Sequence, residues 1–360
     1  MPQVLPLLPE DRTLRSPADL AEAGLVAPEH LEALARVAER YAVAITPDVA
    51  ELISAAPEGP VARQFLPHEA ELETQPGELA DPIGDEAHAP VPGIVHRYPD
   101  RVLLKVVGIC AVYCRFCFRR ETVGPGKARA RPPQALDRAL AYIADRPAIW
   151  EVILTGGDPL VLSPRRLAEL GARLAGIDHV KVVRIHSRLP VVEPGRITPA
   201  LVRALDIPGK ATWLAVHANH ADELTPPVRD ALARLACAGI PLVSQSVLLR
   251  GVNDDPDTLA ALFRALVECR VKPYYLHHGD LAPGTSHFRT EIAEGQALMR
   301  SLRGAVSGLC QPAYMLDIPG GHGKVPIGPG YLTRNGESTM IEDPRGGFHP
   351  YPPAPAGDAA

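Results

Sequence analysis

CAVYCRFCFRR, residues 110–120, is the stretch from which the rest of the chain is read. Cys110, Cys114 and Cys117 are spaced C-x3-C-x2-C, interleaved with Tyr113 and Phe116 and followed by Arg119 and Arg120. A structural zinc site takes four ligands, usually in C-x2-C pairs, and a fourth would have to come from His96, His179 or Cys237. A [4Fe–4S] cube held by three thiolates instead leaves one iron open to a substrate or cofactor. The spacing favours the iron–sulfur reading, with zinc as the alternative. The remaining cysteines, Cys237, Cys269 and Cys310, read as buried structural thiols.

The bulk composition narrows the class. The 360 residues suffice for one large core or two modest ones. Hydrophobic residues at 46% and charged residues at 22% are ordinary for a soluble globular protein. The formal charge of −5 comes from mixed signs throughout, so no basic footprint supports a nucleic-acid partner. No stretch approaches the roughly 18 uninterrupted apolar residues of a membrane span. The segment MPQVLPLLPEDR lacks the basic and apolar parts of a signal peptide, and six cysteines do not form a secreted disulfide pattern. A cytoplasmic protein without a membrane partner is expected.

Outward from the cysteines, the chain changes character. Ala18–Ser54 has helical periodicity, and Leu20, Leu25, Leu31, Leu34, Ala35, Val37 and Ala38 suggest amphipathic helices. Ala55–Pro92 is rich in Pro, Glu and Gly and reads as an extended arm or linker. Beyond it, strands are expected at Val102–Val107, Trp150–Leu154, Val180–Ile185, Thr212–Val216, Leu242–Leu248 and Lys272–Leu276. Helices are expected at Gln134–Asp145, Pro164–Ala175, Pro199–Leu205, Pro226–Ala238 and Pro256–Glu268. Four of them open on Ser163-Pro164, Thr198-Pro199, Thr225-Pro226 and Asp255-Pro256, a capping residue followed by proline. This alternation predicts a parallel α/β sheet, either doubly wound or closed into a barrel. Polar groups gather after the strands in TGGDP, HSR, HANH and HHGD, where a barrel builds its site.

Two glycine-rich stretches add chemistry. TGGDP, residues 155–159, reads alone as an ordinary strand-to-helix connection whose glycines let the backbone approach a ligand closely; its resemblance to a cofactor-binding turn implies Asp158 near a cationic amine. DIPGGHGKVP, residues 317–326, presents Lys324 behind three glycines. It is no phosphate-binding P-loop, because Ile318 and Val325 stand where glycine and a hydroxyl residue are required. The alternatives are a solvated loop lysine and a lysine that captures an aldehyde cofactor.

The cysteine signature resembles that of radical S-adenosylmethionine enzymes, and the whole chain resembles the lysine 2,3-aminomutase family within them. The resemblance runs from about Val91 to Pro329 through HRYPDR, CAVYCRFC, TGGDPL, RIHSRLPVV, SQSVLL, GVND, PYYLH, HFRT, SGLCQP and PGGHGK. It implies a partial (βα)6 barrel at residues 96–318, an N-terminal helical region and arm at 1–95, and a lysine loop and tail at 319–360. It implies a [4Fe–4S] cluster on Cys110, Cys114 and Cys117, with S-adenosylmethionine on its open iron. Gly156, Gly157, Asp158, His217 and Gln245 match positions around that cofactor. Lys324 matches the lysine that holds pyridoxal 5'-phosphate, and Arg97, Tyr98 and Arg101 match the phosphate-binding segment. Arg119 matches the clamp on the substrate α-carboxylate, with Arg120 read as a salt-bridged neighbour. Asp280 and Asp317 match the pair that receives a distal ammonium.

What the resemblance implies is an isomerase that moves the α-amino group of L-lysine, or a related basic amino acid, from C2 to C3. A deoxyadenosyl radical would take hydrogen from C3, and pyridoxal phosphate would carry the migrating nitrogen. An electron donor of the flavodoxin or ferredoxin type and a homo-oligomer are also expected. Asp255 stands where long family members place a zinc-binding cysteine, and no cysteine follows Cys310, so that zinc segment is expected to be absent. His277 replaces a tyrosine of the catabolic enzymes and resembles the branch that makes β-lysine for elongation factor P. A radical aminomutase for another amino acid, and a catalytically inactive iron–sulfur protein, are the remaining readings.

Overall fold

Val102, Leu104 and Val106 are buried while Arg101, Leu103 and Lys105 between them are only partly so. This period-two pattern makes a strand with one face on the helices and the other on an interior that takes polar groups. The same alternation recurs along the chain and builds a nine-stranded sheet in strictly sequential order. Its strands are β1 (Ile94–Tyr98), β2 (Arg101–Val107), β3 (Glu151–Gly156), β4 (Val182–Ser187), β5 (Ala211–Val216), β6 (Leu242–Val247), β7 (Val271–His277), β8 (Ala313–Ile318) and β9 (Gly323–Pro326). The computed structural model describes residues 12–126, 132–335 and 338–353.

Strands β2 to β8 are parallel, and β1 and β9 join the two ends antiparallel. No strand pairing closes β1 onto β9, but the Lys324 backbone N–H donates to the Tyr98 hydroxyl across that gap at 2.7 Å. The result is a nearly closed mixed barrel. Ahead of it lie α1 (Pro17–Glu22), α2 (Leu31–Arg40), α3 (Pro47–Ala55) and α4 (Pro60–Phe65). The crossovers are α5 (Pro133–Ala144), α6 (Pro164–Ala175), a short α7 (Leu189–Val192) with α8 (Pro199–Ala204), α9 (Pro226–Cys237), α10 (Pro256–Glu268) and α11 (Ile292–Leu302). A small antiparallel sheet, β10 (Leu332–Asn335), β11 (Ser338–Glu342) and β12 (Phe348–Tyr351), follows the barrel.

All six expected strands and five expected helices form, with ends shifted by at most a few residues. The sixth βα unit, β7 with α11, leads into β8, and neither α11 nor β8 is among the expected elements. Ser163, Thr198 and Asp255 cap their helices through side-chain oxygens, whereas Thr225 makes no side-chain cap bond. Asp255, at the position of the family's zinc cysteine, accepts from the Thr258 backbone and hydroxyl, both at 2.9 Å. One continuous apolar core runs from Leu14 and Leu20 through the helix-facing sides of the strands to Tyr314. The N-terminal helices are therefore packed into the barrel's own core. No described helix is long and apolar enough to cross a membrane.

Candidate active site

The strand register decides what enters the barrel. Pairs Lys105↔Thr155, His186↔Ala215, Val247↔His277, His277↔Met315 and Asp317↔Lys324 carry one strand face around the interior. Lys105, Thr155, His186, His277, Asp317 and Lys324 thereby face a common lumen. Two chemically different zones result.

The first zone is the connection after β2, which carries all three signature cysteines. Cys110, Cys114 and Cys117 line one recess and form no disulfide. Burial, then Asp158 and the two other thiols, push the Cys110 thiol well above its ordinary value; burial first and Cys114 second push Cys117 up to about 11. Such thiols become thiolates when a cationic metal group draws off their protons. Among the described residues, no three His, Cys, Asp or Glu side chains are arranged to hold one metal ion. His96 bonds to the Tyr142 hydroxyl, His179 to the Ile143 carbonyl, and Cys237 lies exposed at the end of α9. None completes a zinc site, and Cys237 is not the buried thiol expected, because it lies on the outward side of the last turn of α9, away from buried Leu235. Three thiols around one recess fit the corners of a cube better than a single ion.

Residues 55–92, expected as an arm or linker, lie against this loop and fix it. Glu71 is fully buried and accepts from Arg115 Nε at 2.9 and 3.1 Å, while Arg120 donates to the same carboxylate. Burial opposes ionisation of Glu71, but the two guanidinium groups outweigh it and hold the carboxyl below the usual range. Arg120 also lies 3.4 Å over the Tyr41 ring, so its reading as a salt-bridged residue matches its place. On the opposite side, buried Arg188 donates to Cys114 Sγ at 2.8 Å, Gln64 at 2.7 Å and Glu223 at 2.6 Å. Arg188 stands in the HSR stretch after β4, but nothing local identifies its target.

TGGDP needs a correction. A Cβ on Gly156 would stand 2.3 Å from the Val107 carbonyl oxygen, and one on Gly157 2.1 Å from that of Ile109. These glycines let β3 pass under the cysteine loop, so close backbone packing alone requires them. The buried Asp158 carboxylate accepts from Ser187 Oγ at 2.7 Å and from the backbone N–H groups of Leu160, Arg188 and Leu189. It ties β3 to the end of β4 and is not presented to an external amine. His217 follows β5, with its ring edge to Phe116 at 5.6 Å and its Nε2 buried without a partner. Burial, then Arg188, push its imidazole down to about 3, so it is neutral. Gln245 is half-buried on β6, and its side chain makes no hydrogen bond among the described residues.

The second zone surrounds Lys324. Its Nζ is ion-paired with Asp317 and lies 3.1 Å from His277 Nδ1. Asp280 lies beside this pair and makes no ion pair among the described residues; burial first and Asp317 second raise its carboxyl to about 7. Asp85, from the 55–92 segment, takes Arg119 Nε and Nη2 at 3.2 and 3.1 Å and Lys105 Nζ at 3.3 Å. Arg119 also donates to Thr155 Oγ1 at 3.3 Å. Arg97 donates to the Ile83 carbonyl and lies 3.6 Å from Asp85 and 3.9 Å from Asp317. Arg101 does not join this cluster: it pairs with Asp100 at 2.7 Å and lies 3.9 Å over the Tyr98 ring, whose hydroxyl touches Lys324.

Asp85, Lys105 and His186 are lumen residues that the sequence does not single out. A backbone crossing makes Asp85 possible: a Cβ on Gly84, at φ +67°, would stand 2.5 Å from Gly321 Cα. The segment thus passes directly under the Lys324 loop, where His88 Nε2 also bonds to the Gly321 carbonyl at 2.9 Å. Burial, then Arg184 and Arg119, keep His186 neutral. Arg97 Nε, Asp85 Oδ1, His186 Nε2 and His277 Nε2 are all buried without a hydrogen-bond partner. Buried orphans of this kind are costly, and their convergence around Lys324 fits a polar cofactor and substrate held in the lumen.

Comparison with known proteins agrees with this arrangement. Residues 104–263 match the radical SAM superfamily, and residues 299–351 match lysine-2,3-aminomutase. The chain is 42% identical over 314 residues to L-lysine 2,3-aminomutase of Clostridium subterminale, covering 87% of this chain and 75% of that one. It is 42% identical over 271 residues to L-lysine 2,3-aminomutase of Escherichia coli, covering 75% and 78%. Glutamate 2,3-aminomutase of Clostridioides difficile is 36% identical over 313 residues, covering 86% and 73%. The protein belongs to the lysine 2,3-aminomutase family: it is a radical S-adenosylmethionine aminomutase, and its family implies a [4Fe–4S] cluster, S-adenosylmethionine, pyridoxal phosphate and an amino-acid substrate.

Proposed function

We propose that the substrate is L-lysine and that the protein moves its α-amino group from C2 to C3, giving β-lysine. The carrying observation is the acidic end of the lumen. Asp280 lies near enough to Asp317 to feel its charge: burial first and Asp317 second raise its carboxyl to about 7. An ammonium group placed between them relieves that repulsion, whereas the side-chain carboxylate of glutamate would add to it.

In this reading Cys110, Cys114 and Cys117 hold the cluster, and His217 and Gln245 face S-adenosylmethionine beside it. Lys324 holds pyridoxal phosphate, which supplies a π-system able to carry a migrating nitrogen through radical chemistry. Arg97 and Tyr98 lie beside that group, while Arg101, paired with Asp100, backs the Tyr98 ring from outside the cluster. Covalent capture of Lys324 removes its ammonium from Asp317 and frees the carboxylate for the substrate's own ε-ammonium. Arg119, which donates to Thr155 and shares Asp85 with Lys105, offers a planar fork to the α-carboxylate at the basic end. Asp85 keeps this basic end compensated while the lumen holds no substrate.

The test is an anaerobic incubation with reductant, both cofactors and separate lysine, arginine, ornithine and glutamate, scored for β-isomers. Lysine is expected to turn over fastest. Turnover of glutamate alone, or of arginine or ornithine without lysine, would sink the substrate assignment.

A further inference from the structure

Lys324 Nζ has two close neighbours of different kinds. Asp317, on the adjacent strand, is its ion-pair partner, and Arg97 also approaches that carboxylate at 3.9 Å. The other neighbour is His277 Nδ1 at 3.1 Å. An ammonium only donates, so Nδ1 is the accepting nitrogen and the imidazole proton sits on Nε2. Nε2 is buried and bonded to nothing.

From this geometry we propose that His277 is the base that deprotonates Lys324 for capture of an aldehyde cofactor, and the acid that returns the proton. The inference rests on the reading of Lys324 as the cofactor lysine. A proton moves from Nζ to Nδ1, leaving a neutral amine whose lone pair forms a bond to the aldehyde carbon. The proton then leaves with the aldehyde oxygen, which departs as water together with the second nitrogen proton, and C=N replaces C=O. No oxidant or reductant is required. Asp317 is the poorer base because it is already shared between Lys324 and Arg97. It lies 3.8 Å from His277 Nδ1, so the transient imidazolium inherits the carboxylate that stabilised the ammonium.

The groups facing His277 are Lys324, Asp317, His217, His186 and the Tyr275 ring, edge-on at 5.6 Å. Burial, then the Lys324 charge and His217, hold its imidazole far below its ordinary value. Moving the proton removes the Lys324 contribution, while burial, the larger cause, remains.

The experiment mixes cluster-loaded, cofactor-free protein with pyridoxal phosphate, without S-adenosylmethionine or reductant, and follows the visible band of the bound cofactor by stopped flow. His277→Gln keeps a polar side chain but cannot take a proton. It is expected to slow capture at pH 7 at least about tenfold, to make the rate climb with pH, and to be partly rescued by added imidazole. Borohydride-trapped cofactor at the endpoint is expected to match the unsubstituted protein. Wild-type rate and pH profile in His277→Gln would overturn the proposal, as would a slowing indifferent to pH and imidazole. If that variant misfolds, His277→Asn is read by the same criteria. Lys324→Ala separates the two levels. A band that persists in it overturns the assignment of Lys324; a band lost there with His277→Gln unaffected overturns only the role of His277.

Discussion

Replacing Asp280 by Asn isolates the charge at the acidic end of the lumen, because the two side chains have nearly the same shape. The folded carboxyl is raised from 3.8 to about 7, with burial as the larger cause and Asp317 as the second. A raised acid binds its proton more tightly when folded, so stability falls as pH rises above the unfolded value and levels off above the folded one. Each tenfold gain in proton affinity is worth about 1.4 kcal/mol, so the penalty comes to about 4 kcal/mol above pH 7 and is near zero below pH 4. The D280N variant is therefore expected to unfold at higher urea than the parent at pH 8 and at nearly the same urea at pH 4. The gain in stability comes with loss of function, the trade expected of a charge retained for binding. Lysine should reverse the penalty by lowering the Asp280 value, releasing up to about one proton per site near pH 6.5. Calorimetry in buffers of different ionisation enthalpy reads that release, which D280N should abolish. Equal urea midpoints at pH 8, or proton release unchanged in D280N, would refute the reasoning.

Glu71→Gln leaves two buried guanidinium groups without their shared carboxylate and is expected to cost about 3–5 kcal/mol in urea unfolding at neutral pH. Because that carboxyl is depressed in the folded state, its contribution is present above the unfolded value and lost as pH falls, so the deficit should shrink in acid. Gly84→Ala combines a left-handed backbone with a contact into Gly321 and should cost about 1–3 kcal/mol while weakening cofactor retention, read from the visible band after gel filtration. Alanine at Cys110, Cys114 or Cys117 should abolish the iron–sulfur absorption of anaerobically reconstituted protein while leaving Lys324 capture intact.

The barrel from β2 to β7 is legible because each element announces itself locally. Its strands are short apolar runs, and four of its helices open on a capping residue and proline. The elements that escape notice lack those marks: α11 opens on Glu291 instead, β8 runs into a glycine loop, and β9 is four residues of that loop. In the site, Lys324 and the cysteines are visible through spacing and glycine context, which are properties of neighbouring residues.

Asp85, Glu71, Lys105, Arg188 and Glu223 are invisible in the sequence for one shared reason. Each is an ordinary charged residue whose role exists only through a partner far along the chain, such as Glu71 with Arg115 or Asp85 with Arg119. The segment carrying Glu71 and Asp85 looks like a linker because it is poor in apolar residues. That poverty has a different cause in the folded protein. The segment's first part packs Val61, Ala62 and Phe65 into the core, but where it crosses the charged loop and then the charged lumen it binds through buried carboxylates, residues that composition counts as solvated. Its two anchors, Glu71 at the cysteines and Asp85 at Arg119, sit at the two zones that radical chemistry must hold in fixed register. Shortening the chain between them should uncouple cluster from substrate site before it unfolds the barrel.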